Sequence, residues 1–232
     1  MARTSLDDRR AVAFAIFLSA LSGSLLASDG QATPPRPKGR LFPPQDLGLI
    51  EAPDRDEWQK PEQIMDTLRI AEGSVVADLG AGGGWFTIHL ARRVGPNGIV
   101  YAEDIQPQMV EAIGRRAQRE NLKWVRPILG TATDPRLPPG IDTVLIVNSY
   151  HEMEDPVALL RNAARALKPQ GLIGVVEFLP GGGGPGPAAD ERPDPAAVIS
   201  AAQSAGLRLK QREDIPPFVY LLVFELATRS TE

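Results

Sequence analysis

Three short stretches hold residue types that could do chemistry. The first is VVADLGAGGG, where an apolar run ends at Asp78 and Gly80, Gly82 and Gly84 follow at alternate positions, with Ala81 inside the loop. Glycine has no Cβ, so such a loop can turn sharply and bring backbone close to a ligand. The helix that begins behind it offers free N–H groups, and an anion could sit there. The G-x-G-x-x-G spacing of dinucleotide sites, started at Gly80, would need glycine where Trp85 stands. The second stretch is YAED, ending at Asp104, 20 positions beyond Gly84. A carboxylate at the tip of a second strand can accept hydrogen bonds from both hydroxyls of a ribose. The competing role is to cap the helix that starts near Pro107. Glu103, one residue earlier, is expected to face the other way. The third stretch is NSYHEMED, from Asn148 to Asp155, directly after the apolar run IDTVLIV. Ligands of open α/β sheets bind at the carboxyl ends of strands, which brings Asn148, Tyr150, His151 and Glu152 into range. His151 is a candidate general base. The plainer reading is that Tyr150 and His151 only pack or hydrogen-bond in the loop. No second histidine follows Glu152 at helical spacing, so this is no zinc motif.

Positioning these stretches requires strands that end at Leu79, Asp104 and Val147, each followed by a helix or loop. The pattern supplies them. DRDEWQKPEQIMDTLRI reads as a helix, broken at Gly73, and VVADLG as a short buried strand. WFTIHLARRV is amphipathic and stops at Gly95-Pro96. GIVYAED is a second strand and PQMVEAIGRRAQRE a helix with Pro107 at its start. WVRPIL is a third strand, although Pro127 sits awkwardly in it. IDTVLIVN, PVALLRNAARALK, a turn at Lys168–Gly171, and the strand LIGVVEF follow. The run GGGGPGP reads as a flexible loop. DPAAVISAAQSAG is a last helix, and LRLKQRE and FVYLLVFEL close the chain as antiparallel neighbours joined at Pro216-Pro217. Strands alternating with helices imply an α/β fold with helices on both faces of a parallel sheet. Glu177, at the end of the fifth strand, faces either the substrate or the pocket edge. Trp58 and Lys60 lie over the cofactor or pack on the sheet, and His89 reads as structural.

The chain has 232 residues, a formal net charge of -4 and no cysteine. Disulfides, thiolate metal sites and cysteine nucleophiles are excluded, and two histidines make a histidine-rich metal site an unlikely expectation. No global basic surface points to nucleic acid. Arg3, Arg9 and Arg10 precede the apolar run Ala11 to Ala27, the pattern of a secretory signal peptide. An uncleaved membrane anchor is the alternative. The expected organisation is a signal or anchor over 1–27, a proline-rich linker over 28–53 and one catalytic domain over 54–232. On this reading the protein is exported and keeps no membrane span after cleavage.

DLGAGGG followed by YAEDIQPQM resembles the class I S-adenosylmethionine-dependent methyltransferases, of the type 11/25-like kind, over roughly Asp54 to Glu225. The resemblance implies a three-layer Rossmann-like methyltransferase sandwich. Its seven-stranded sheet is mostly parallel, with an antiparallel last strand. It implies S-adenosyl-L-methionine as cofactor. Asp78, Gly80, Ala81, Gly82 and Gly84 hold the methionine part, Asp104 the ribose with Ile105 beside it, and Asn148 borders the methyl group and the substrate. Where relatives carry an acid against the adenine amine, this chain has Thr131, with Asp134 three residues later. The cysteines of arsenite methyltransferases are absent. The implied reaction moves a methyl group to an oxygen, nitrogen or carbon of a small molecule, with His151, Tyr150 and Glu152 as candidate catalytic residues. The alternatives are a binding module without turnover and a nicotinamide-dependent reductase, the latter weakened by Trp85.

Overall fold

The computed structural model describes residues 41–181 and 183–227. The expected signal or anchor over 1–27 and the first part of the expected linker lie outside the described residues. Seven strands form one sheet: β1 (Val75–Leu79), β2 (Ile99–Asp104), β3 (Val125–Leu129), β4 (Ile141–Val147), β5 (Leu167–Phe178), β6 (Leu207–Ile215) and β7 (Val219–Leu226). Their spatial order is β3-β2-β1-β4-β5-β7-β6. Strands β1 to β5 pair in parallel, while β7 runs antiparallel to both β5 and β6. The α/β architecture expected from the alternating pattern is therefore observed.

Alternate residues of the central strands feed two cores, as the period of a strand requires. Val76, Leu145 and Val176 face one core, with Ile64, Leu90 and Ile113 from α3 (Pro61–Thr67), α4 (Trp85–Val94) and α5 (Pro107–Arg119). Ala77, Ile146 and Val175 face the other, with Leu160 and Val198 from α6 (Pro156–Ala166) and α7 (Pro195–Ser204). A sheet covered on both faces needs continuous apolar strands, which is why VVADL and IDTVLIV read as unbroken runs. Proline opens α3, α5, α6 and α7, where its missing N–H costs nothing. Asp155 and Asp194 cap α6 and α7 by accepting the N–H groups of Ala158 and Ala196 at 2.9 and 2.8 Å. Each cap is worth about 1 kcal/mol.

Four local readings change. The single helix expected around Trp58 is two, α2 (Arg55–Gln59) and α3, because Lys60 adopts φ 49° between them. Pro127 is accommodated because β3 is an edge strand, with one side free of ladder partners. The turn expected at Lys168–Gly171 is absorbed into β5 as an irregularity opposite Ile141–Thr143. The end of the proline-rich segment is not a plain extended linker. Residues Pro44–Asp46 form a 3-10 turn and Leu47–Ile50 one turn of helix, α1. Among the described residues, no helix is long and apolar enough to cross a membrane.

Candidate active site

The chain steps outward from β1 to β2 and β3, then returns to place β4 on the other side of β1. The crevice outside the carboxyl ends of β1 and β4, where the order reverses, is where such sheets bind ligands. All three chemistry-bearing stretches end there.

On the β1–β2 side, Gly80, Gly82 and Gly84 have φ of 66°, 55° and 81°, a conformation side chains disfavour. A Cβ on Gly80 would stand 2.6 Å from Ser149 Oγ, so this glycine also allows the β1 and β4 loops to touch. The Asp78 carboxylate is 2% exposed and its Oδ2 accepts the Thr87 hydroxyl at 2.6 Å, tying β1 to α4 across the loop. Burial pushes its pKa up to about 6, against the Thr87 bond and the charge of Arg55. Asp104 accepts Gly82 N–H on Oδ2 at 3.0 Å and Gln106 N–H on Oδ1 at 2.9 Å. Each oxygen keeps a lone pair, so the carboxylate is held in place for a diol. Ala81 N–H is bound to the Glu103 carbonyl at 2.9 Å. Thr131 and Asp134, the two adenine candidates, form one turn with each other. The Thr131 hydroxyl donates to the Asp134 carbonyl and accepts its N–H.

Glu103 is buried at 2% exposure, and its Oε2 accepts the Gly80 N–H at 3.4 Å. Its Oε1 has no hydrogen-bond partner, and a Cβ on Gly130 would stand 1.9 Å from it. Burial first, then the charges of Asp104, Asp78 and Asp134, push its pKa up to about 8.

Sequence reasoning missed Arg55. Its guanidinium is buried beneath the cleft, 4.1 Å over the Trp85 ring, donating to the Ile50 carbonyl at 2.8 Å. Burial lowers its pKa to about 10, opposed by Asp78 and Glu51. Trp85 is thus a stacking platform for a cation, a role no spacing signal announces. The segment leading to Arg55 straps across the cleft. Phe42 N–H donates to Glu152 Oε2 at 3.0 Å, and its carbonyl accepts the Gln106 side-chain amide at 3.0 Å. Leu47 and Ile50 lie over Gly82, and Glu51 pairs with Arg116 at 2.6 Å.

On the β4–β5 side, Asn148 is held at φ 54°, and its Oδ1 accepts the Gln59 amide at 3.3 Å. Its Nδ2 is buried without a partner. Ser149 Oγ donates to the Leu79 carbonyl at 3.1 Å. His151 Nδ1 lies 3.0 and 3.2 Å from the two oxygens of Glu177, whose side chain is fully buried. Glu152 Oε1 stands 3.8 Å from His151 Nε2. The structure does not bring Tyr150 into this group as a reactive phenol. It packs into the second core, and burial with Glu177 nearby pushes its pKa up to about 12. Trp58 likewise packs against Phe178 and Phe218, at 6.0 and 6.1 Å between rings, and Lys60 is the exposed, left-handed cap that ends α2. Among its described residues, the glycine-rich run is held by one side chain. Arg192 lies 5.2 Å over the Phe178 ring and donates to the carbonyls of Leu179, Gly183, Pro185 and Pro187.

The loop, the fixed Asp104 carboxylate and the switch-point crevice form a candidate nucleoside site of an open α/β sheet. Residues 76–171 match the family model described as a methyltransferase domain. The chain is 30% identical over 131 residues to a demethylmenaquinone methyltransferase of Lactobacillus johnsonii, covering 56% of this chain and 53% of that one. It is 34% identical over 119 residues to a nocamycin O-methyltransferase of Saccharothrix syringae, covering 51% and 42%. The chain thus spans about half the length of these relatives. Its fold matches a SAM-dependent methyltransferase from Aquifex aeolicus with a TM-score of 0.76 at 24% identity, over 79% of this chain and 98% of that one. Residues 76–171 thus resemble a methyltransferase domain, set in the fold of a solved methyltransferase whose cofactor is S-adenosylmethionine. The residues present suit that cofactor: the positive φ of the glycine loop presents bare backbone, Asp104 can accept its diol, and the unpartnered Asn148 amide stands at the carboxyl end of β4.

Proposed function

We propose that the protein transfers the methyl group of S-adenosylmethionine to a small-molecule acceptor. The observation that carries this reading is Asp104, fixed by two backbone N–H groups at the tip of β2 beside the glycine loop. When bound, the cofactor supplies an electrophilic methyl group on a sulfonium. The protein's part is placement, since methyl transfer gains most from in-line alignment in a site shielded from water. Asp104 would accept the ribose hydroxyls. Arg55, the one buried cation described near Asp78, would balance the negative end of the methionine portion. Asn148 would border the transferred group, and the strap from Phe42 to Glu51 would exclude water.

The acceptor enters from the β4–β5 side, where His151 and Glu152 are the polar groups. Incubating the protein with tritiated-methyl cofactor and a panel of phenols, amines and thiols tests the reading. Transfer to at least one class, lost in Asp104→Ala, is the expected result. Binding of S-adenosylhomocysteine with no transfer to any class would instead favour a module without turnover. We also propose that the domain acts outside the cytoplasm, on the strength of the basic start and apolar run before Ala27. A reporter enzyme fused after Asp46 should then be found exported, and a cytoplasmic reporter would overturn this.

A further inference from the structure

The methyl-transfer reading leaves the acceptor open, and Glu177 narrows it. This residue ends β5 fully buried, and both of its oxygens converge on one histidine ring nitrogen. The same Oε1 also accepts the His151 backbone N–H at 3.2 Å, and Oε2 accepts Phe178 N–H at 3.2 Å. The carboxylate is therefore fixed by two backbone N–H groups, one on each oxygen, before it meets the ring. A carboxylate only accepts hydrogen bonds, so the ring must present Nδ1–H to it. In the neutral imidazole that leaves Nε2 with the lone pair. Among the described residues Nε2 makes no hydrogen bond, and Glu152 Oε1 at 3.8 Å is too distant for one.

We propose, resting on the methyl-transfer reading, that Glu177 is a positioning residue that holds His151 as a general base, and that the acceptor is a weakly acidic hydroxyl of the phenol or enol kind. The acceptor O–H proton passes to His151 Nε2. The freed electron pair on oxygen forms the bond to the methyl carbon, and the pair of the broken carbon–sulfur bond stays with sulfur. The imidazolium then returns its proton to solvent. A hydroxyl needs this help because the neutral oxygen is a poor nucleophile. Two carboxylates stand at the ring, Glu177 from β5 and Glu152 beside it, and the charge of Glu191, before α7, also acts on it. Burial opposes charge on His151, but Glu177, Glu152 and Glu191 together raise its pKa. The base is correspondingly stronger than a free imidazole.

The test is long-range 15N–1H NMR of histidine-labelled full-length protein, with the two histidine signals assigned through His89→Gln. The wild type is expected to show the neutral ring protonated at Nδ1. In Glu177→Gln the His151 pKa should fall by about a unit. A neutral ring protonated at Nε2, or a His151 pKa unmoved in Glu177→Gln, would overturn the dyad. The wild-type tautomer needs no variant, so a poorly folded Glu177→Gln leaves this arm intact. With a panel of phenols and amines, phenols should be methylated, and Glu177→Gln should lower kcat about 100-fold with little change in KM. Methylation of amines alone would overturn the acceptor class. Failure of S-adenosylhomocysteine to bind, by calorimetry, would sink the methyl-transfer reading while the tautomer still decides the dyad.

Discussion

At the β1–β2 end of the cleft, the anchors lie within one strand–helix–strand unit: Gly82 meets Asp104 across 22 positions. At the β4–β5 end, the contacts join distant parts of the chain: Gln59 to Asn148 across 89 positions, and Phe42 to Glu152 across 110. The first region presents backbone and one carboxylate, so its identity is written in glycine spacing. The second presents side chains brought together by the fold. A cofactor that does not change fits the first kind of construction, and an acceptor that differs between relatives fits the second.

The sharpest way to break this comparison is at a close contact between the two regions. Gly80→Ala should lower stability by about 3 kcal/mol in urea titration, because the new methyl meets Ser149 and the backbone must hold a positive φ. Adding Ser149→Gly should recover part of that loss by removing the clash and leaving the strain. If Gly80→Ala folds and binds S-adenosylhomocysteine as the wild type does, the loop is not the cradle described.

Next comes the cofactor side's buried acid. Glu103 has a folded pKa raised from 4.5 to about 8 by burial. The unfolded chain releases the proton first, so this group's contribution is fully present below pH 4.5 and is lost as pH rises through about 8. Glu103→Gln should therefore flatten the decline and be more stable than the wild type at pH 9, by about 2 kcal/mol. Parallel stability–pH curves for the two proteins would show that Glu103 is not the group responsible.

The smallest effect is expected on the acceptor side. Arg192→Ala removes four bonds to loop carbonyls and should cost about 1–2 kcal/mol. Proteases should cut between Leu179 and Pro187 faster, while S-adenosylhomocysteine affinity stays the same. A matching fall in cofactor affinity would mean the two halves are one coupled unit.

These differences also explain what could be read from the sequence. The sheet was legible because Asp78, Asp104 and Val147 end apolar runs whose periods fix strands, and because prolines mark helix starts. The break at Lys60 was not, since a left-handed lysine leaves no compositional trace. Asp104 was legible from its distance to the glycine loop. Arg55 was not, because its meaning depends on Trp85 lying beneath it, a matter of tertiary packing. Glu177 was seen only as a strand end, and nothing in its neighbours says that His151 folds back onto it. The glycine-rich run reads as flexible because Arg192, which bonds to the carbonyls of Gly183, Pro185 and Pro187, lies beyond the run.

Calorimetric titration of S-adenosylhomocysteine into the wild-type protein and Asp104→Ala tests the central claim most directly. The account predicts micromolar binding to the wild type, weakened about 30-fold or more in the variant, as loss of a charged acceptor implies. No heat of binding with the wild type, or equal affinity in the two proteins, would contradict it.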